Sequence, residues 1–253
     1  MLNPDLDLAR RFLDQHPPPG TLLQCAISGA HLYGFPSPDS DLDLKGIHAA
    51  PTRELLGLQP RTEPHDLTED HEGTEYDLTT NEAAGALRSL LAGNGNMLER
   101  ILSPYQLADT EHLAPLQALA HSTISRAYAR HYAGFFTGCR REHQRMSTVK
   151  TLLYSYRVAL TGIHLLTTGD LEPNLSILAP RYRFHDVAEL IDRKRAGTEH
   201  GHIDPALDEH HRTRWPKLEE LLAEAEHDSI LPTQPPNHLE IDDWLIALRL
   251  SQV

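Results

Sequence analysis

An apolar run from Leu22 to Ile27 stops at Gly29, and further on two aspartates alternate with leucines in Ser40-Asp41-Leu42-Asp43-Leu44. No other feature restricts the fold as much, because it demands a strand, a glycine turn and a second strand. Strand alternation sends Asp41 and Asp43 to one face and Leu42 and Leu44 to the other. Two neighbouring carboxylates repel each other unless a cation neutralises them, so the pair asks for a divalent metal. A glycine turn beside that metal offers backbone N–H groups to phosphate oxygens. Together they are the equipment for handling a metal-bound nucleoside triphosphate. An EF-hand reading of Asp39, Asp41 and Asp43 fails, since Leu44 stands where the loop needs glycine and Ala50 where it needs glutamate.

With 253 residues the chain can bury a real core, as one large domain or two modest ones. No apolar run is long enough to span a bilayer. The acidic start, from Met1 to Asp7, has no signal-peptide core. Cys25 and Cys139 are read as inert thiols in a reducing compartment, and the expectation is a cytoplasmic protein. The net charge of −13 argues against nucleic acid until its distribution is considered. Arg126, Arg130, Arg140, Arg141, Arg145, Lys150 and Arg157 face a single acid, Glu142, within their stretch, whereas acids dominate from Glu199 to Asp243. The basic stretch fits either a polyanion groove or a solvated helix face.

Residues 5–15 read as an amphipathic helix ended by Pro17-Pro18-Pro19-Gly20. Strands are expected at Thr21 to Ser28, Asp41 to His48 and Thr74 to Thr79, with a polar excursion at 49–73 and a helix from Asn81 to about Ala92. Beyond residue 96 the pattern is helical, with helices near 112–145, 148–168, 184–196, 205–228 and 239–249. A boundary near Pro104 gives a catalytic core over 1–104 and a helical part over 105–253.

Asp77, on the third strand in apolar surroundings where an unpaired charge is expensive, is the expected third carboxylate, with Glu75 as runner-up. A third acid lets two metal ions share ligands, one activating the attacking hydroxyl and one holding the triphosphate. Lys150, Tyr154, Arg157, Thr161 and His164 form one stripe of a helix. A polar stripe must meet solvent or a polyanion. Asn96 and Glu99 read as a helix-capping pair. Tyr33 either stacks on a base or ribose or packs the turn, and Lys45 shares a face with Asp43 and balances charge. His200, His202, His210 and His211 lack the fixed spacing of a zinc site. His185-Asp186 resembles the HD pair of phosphohydrolases without that site's further ligands, so Asp186 is read as an N-cap.

The order of parts resembles the DNA polymerase β nucleotidyltransferase superfamily, and the pattern from Gly29 to Asp43 is similar to the RlaP/YcgL-type nucleotidyltransferases associated with RNA repair. Later segments resemble the same family: Tyr76-Asp77-Leu78, Gly93-Asn94-Gly95-Asn96-Met97-Leu98-Glu99 with Ser103-Pro104, and the helix holding Lys150, Tyr154 and Arg157. Ala30 departs from the family's serine, and Gly95 from its proline. The resemblance implies an α+β fold, with a polymerase-β-like core of small mixed sheet and helices followed by a mainly helical C-terminal half. It implies transfer of an NMP from an NTP, with ATP expected, to an acceptor hydroxyl at an RNA end, with release of pyrophosphate. Two Mg²⁺ or Mn²⁺ ions would sit on Asp41, Asp43 and Asp77. Gly29, Ala30, Tyr33, Ser40, Lys150, Tyr154 and Arg157 would contact the nucleotide. The alternatives are adenylylation of a small molecule or protein, and a catalytically silent nucleotide or RNA binder.

Overall fold

The computed structural model describes residues 4–197 and 202–252 and divides the chain into two units that alternate along the sequence. Among the described residues, one comprises Ala30–Ser40 and Ser125–Thr233; the other comprises residues 4–29, Asp41–Ile124 and residues 234–252. Residue 104, the boundary expected from sequence, lies inside the second of these. The elements in chain order begin with α1 (Leu6–Gln15), β1 (Thr21–Ile27), α2 (Gly29–Tyr33), β2 (Leu42–Ala49), α3 (Thr52–Leu55), β3 (His65–His71) and β4 (Thr74–Glu82). Then come α4 (Ala83–Leu91), α5 (Gly95–Leu102), α6 (Leu113–Ser122), α7 (Tyr128–Met146) and α8 (Val149–Thr168). The rest are α9 (Leu175–Arg181), α10 (Val187–Ala196), α11 (Pro205–Arg212), α12 (Trp215–Asp228) and α13 (His238–Leu250).

The sheet has the order β1-β2-β4-β3, with β1/β2 and β3/β4 antiparallel and β2/β4 parallel. This is the mixed α+β architecture expected. Asp5 caps α1, accepting from the amides of Asp7 and Leu8, and the helix lays Ala9, Phe12 and Leu13 on one face of the sheet. There Phe12 stacks on Tyr76 at 4.2 Å, among Cys25, Ile27, Leu42, Leu44, Leu78 and Leu107. Each fully buried aliphatic or aromatic side chain in such a cluster contributes about 1.5–3 kcal/mol. Arg100 of α5 donates to the Gly46 carbonyl at 3.2 Å, and Gln24 of β1 donates to the Arg100 carbonyl at 2.9 Å. A methyl at Gly46 would lie 2.7 Å from the Gln24 carbonyl oxygen, so only glycine permits that close strand contact.

Several boundaries differ from those read in the sequence. The excursion at 49–73 contains a strand, β3, whose side chains are mostly exposed. β4 runs on through Asn81, so Asn81 does not start the next helix; Glu82 does, accepting from the Ala84 amide. Asn94 caps α5 through the Met97 amide, in place of the Asn96/Glu99 pair, and Glu99 is buried. Helical periodicity does not register the breaks after Ser122 and after Arg212, nor the short helix α9.

In the helical unit α8 is buried almost all round, including Arg157, Thr161 and His164 of the polar stripe expected to meet solvent or a polyanion. It is capped by Thr148 and Thr151 reciprocally and ends at Gly169 in the left-handed region, φ +79°. α7 packs along it, and Gly162 of α8 faces Tyr132 so closely that a methyl would lie 2.6 Å from the tyrosine Cβ. Among the described residues, no helix is long and apolar enough to cross a membrane.

Candidate active site

In the sheet unit, the parallel pairing of β2 and β4 places Asp43 directly opposite Asp77. Lys45, two residues on from Asp43 and on its face, sends its ammonium between them. Its Nζ lies 2.8 Å from Asp77 Oδ2 and 3.7 Å from Asp43 Oδ1, and it also donates to Thr79 Oγ1 at 3.3 Å. The charge-balancing role read for Lys45 is what this geometry shows. Asp43 is also fixed from the backbone, its carbonyl accepting from the Ser28 amide at 2.8 Å. Gly29 is left-handed, φ +62°, and a Cβ there would lie 1.8 Å from Asp43 Oδ2. Glycine therefore makes room for the Asp43 carboxylate at the turn.

Asp41 stands half-buried immediately before β2. Among the described residues, no three His, Cys, Asp or Glu side chains gather to hold a metal ion in this arrangement. The donors fit a hard cation nonetheless, being carboxylate oxygens of the kind Mg²⁺ and Mn²⁺ take.

In the helical unit, Tyr33, Phe35 and Tyr154 form a ring cluster, with centroids 5.7 Å apart for Tyr33–Tyr154 and 5.8 Å for Phe35–Tyr154. The Arg157 guanidinium lies 3.9 Å over the Tyr33 ring and 5.5 Å over Phe135. Arg157 is 1% exposed, and Thr161 and His164 beyond it are buried too, His164 sharing a hydrogen bond with the Tyr182 hydroxyl. The stripe on α8 thus meets protein from Arg157 onward, in place of solvent; Lys150 and Tyr154 remain half-buried. Periodicity shows which residues share a face but not what covers it. Ala30 is buried, as is Ser40, whose hydroxyl accepts from the Ser37 amide at 3.0 Å.

The basic stretch is not a single face. Arg140 pairs with Glu219 at 2.9 Å and lies over Trp215, while Arg130, Arg141 and Arg145 are exposed. Both cysteines are buried free thiols, pushed up by that burial to about 12 at Cys25 and about 11 at Cys139, as inert thiols should be. Of the late histidines, His210 binds Asp186, which makes no side-chain cap, and His211 is buried against the Tyr156 hydroxyl. His200 lies outside the described residues. Sequence spacing gave no signal for His131, Lys194 or Arg195. Burial, and secondarily Arg157, hold the His131 imidazole down at about 4.

A family model described as RlaP, RNA repair pathway DNA polymerase beta family, matches residues 10–247. An uncharacterized protein of Methanocaldococcus jannaschii is 30% identical over 154 residues, which are 59% of this chain; the chain spans 62% of that relative's length. A crystal structure of a nucleotidyltransferase-like protein from Exiguobacterium sibiricum aligns over 97% of this chain and 80% of its own, at 11% identity and a TM-score of 0.35, too distant to carry an argument. With the family model reaching over both the Asp43–Asp77 pair and the Arg157 cluster, the chain belongs to the RlaP family, the RNA repair pathway DNA polymerase beta family.

Proposed function

We propose that the protein is a metal-dependent nucleotidyltransferase that moves an NMP, with ATP as the expected donor, onto the hydroxyl of an RNA end and releases pyrophosphate. The observation that carries this reading is the Asp43–Asp77 pair, in register across β2 and β4 and served by a glycine turn that leaves room for one of its carboxylates. Asp41, Asp43 and Asp77 would hold two Mg²⁺ or Mn²⁺ ions. Those ions, when bound, lower the pKa of the acceptor hydroxyl and offset charge on the triphosphate. Asp77, the more exposed of the paired carboxylates, is the group to take the proton from the acceptor hydroxyl. The amides of Gly29 and Ala30 supply phosphate donors where the family's serine hydroxyl is missing. Ser40 would add a hydroxyl and Lys150 positive charge toward the β- and γ-phosphates, while Arg157, buried under the Tyr33 ring, would add its charge without direct contact. The rings of Tyr33 and Tyr154 hold the Arg157 guanidinium, and both tyrosines would shape the nucleotide side of the site.

The test is incubation with each labelled NTP and Mg²⁺ or Mn²⁺ against RNA, DNA, protein and small-molecule acceptors. Label transfer to RNA ends by the wild type, lost in the Asp41→Ala/Asp43→Ala double variant, is the expected result. Transfer retained by that variant overturns the mechanism, and label on a protein or small molecule alone replaces the RNA acceptor. Lys150→Ala should weaken MgATP more than adenosine, by about 1.5–3 kcal/mol for a desolvated charge-assisted hydrogen bond.

A further inference from the structure

Seven residues, Gly34 to Ser40, link the glycine turn to Asp41, and they carry almost no regular structure although most of them are buried. Buried backbone without a helix or sheet ladder must find its hydrogen-bond partners elsewhere. Some are local, the Phe35 amide donating to the Ala30 carbonyl and the Ser37 amide to Ser40 Oγ, but the Gly34 carbonyl is served by α9 and α10, far along the sequence. The Gly34 carbonyl accepts from Arg195 at 2.6 Å and from Ser176 Oγ at 3.0 Å. Gly34 is left-handed, φ +85°, and a Cβ on it would lie 2.1 Å from Asn174 Oδ1, so this clamp closes only on glycine. Lys194 Nζ donates to Ser37 Oγ at 2.5 Å, and the Ser37 and Ser40 hydroxyls lie 3.0 Å apart. The Ser40 amide in turn donates to the Ser37 carbonyl at 3.1 Å.

Lys194 is 2% exposed. An ammonium taken out of water is costly, and a solvated last-turn position would have satisfied the helix C-terminus equally well. Its charge also reaches α2, where it acts with burial to hold the His31 imidazole below its ordinary value. A buried cation that touches the loop at Ser37 and is felt at His31 grips the stretch between the glycine and the aspartates.

We propose that Lys194, supported by Arg195, is a positioning residue for nucleotide binding: it fixes the Gly34–Ser40 loop, and so sets Ser40 and the chain's approach to Asp41. The inference rests on the nucleotidyltransferase reading above. Lys194 touches no substrate in this account and acts through Ser37 and Ser40.

The experiment compares the full-length wild type with Lys194→Met, Lys194→Arg and Leu190→Ala. Leu190 is a buried apolar residue of the same helix and controls for general loss of stability. Amide hydrogen exchange in Gly34–Ser40 and KM for MgATP are measured in each. In Lys194→Met, exchange at Ser37, Asp39 and Ser40 should rise at least tenfold and KM at least fivefold, with a smaller change in kcat. Lys194→Arg should recover most of both, and Leu190→Ala should move neither. If Lys194→Met does not fold, Ser37→Ala, which removes the acceptor, must show the same two changes. Wild-type exchange and KM in a folded Lys194→Met, or equal changes in Leu190→Ala, overturn the inference while leaving the enzyme reading intact. A wild type that neither binds MgATP nor transfers label overturns the enzyme reading and this inference with it.

Discussion

At the scale of one residue, the absence of a side chain at Gly29 decides where a carboxylate can stand. Alanine in the left-handed region costs about 1–2 kcal/mol. Its methyl would in addition fall 1.8 Å from Asp43 Oδ2 and evict the group. Gly29→Ala should therefore lower the melting temperature modestly and abolish label transfer, two effects separated by calorimetry and the transfer assay. His131 gives a pH prediction of definite sign. It is held neutral down to about 4, so at pH 7 neither the folded nor the unfolded chain carries the proton. Between about 6.5 and 4 the unfolded chain takes it up first, so stability falls through that window and levels below it. His31, His48, His164 and His211 are lowered by burial as well and act in the same direction. His131→Gln should make melting temperature fall less steeply between pH 7 and pH 4.5, without removing the slope. Asp43, Asp77 and Lys45 could each be named from the sequence. That Lys45 would lie between the two acids depends on the β2/β4 register, which is set by a long connection and leaves no local trace.

At the scale of elements, α8 shows how a glycine can be worth more than a helix former. Alanine normally gains about 1 kcal/mol over glycine inside a helix. At Gly162 its methyl would overlap Tyr132, and overpacking costs about 1–3 kcal/mol. Gly138 on α7 has nothing within 4 Å of such a methyl. Gly162→Ala should lower the urea midpoint and Gly138→Ala raise it. The elements legible in sequence were those with strong local signals: α1 with its amphipathic spacing, β1 and β2 about their glycine turn, and α8, read at 148–168 and found at Val149–Thr168. β3 was missed because His65–His71 pairs as a sheet edge with most of its side chains in solvent, so alternation had little apolar contrast to reveal it. The α8 stripe was misjudged for the opposite reason. Its polar residues are covered by rings from Tyr33 and Tyr182, supplied by parts of the chain that helical spacing cannot see.

At the scale of the molecule, the sheet unit draws on sequence well past residue 104. Leu107 belongs to its apolar cluster, and its amide donates to the Cys25 carbonyl at 2.8 Å. Near the other end of the chain, Arg249 pairs with Glu82 and donates to the Ala50 carbonyl at 3.1 Å. A fragment of residues 1–104 should therefore show no cooperative thermal transition by circular dichroism; a sharp one would mean the core closes without these later residues. The alternation of the two units along the chain has a consequence for inheritance. The glycine and aspartates of the signature belong to one unit and the loop between them to the other, so neither unit is encoded by one uninterrupted stretch of gene. A lineage carrying this protein cannot trade, duplicate or shed either unit as a cassette, and a recombination breakpoint anywhere between codons 30 and 233 splits at least one of them.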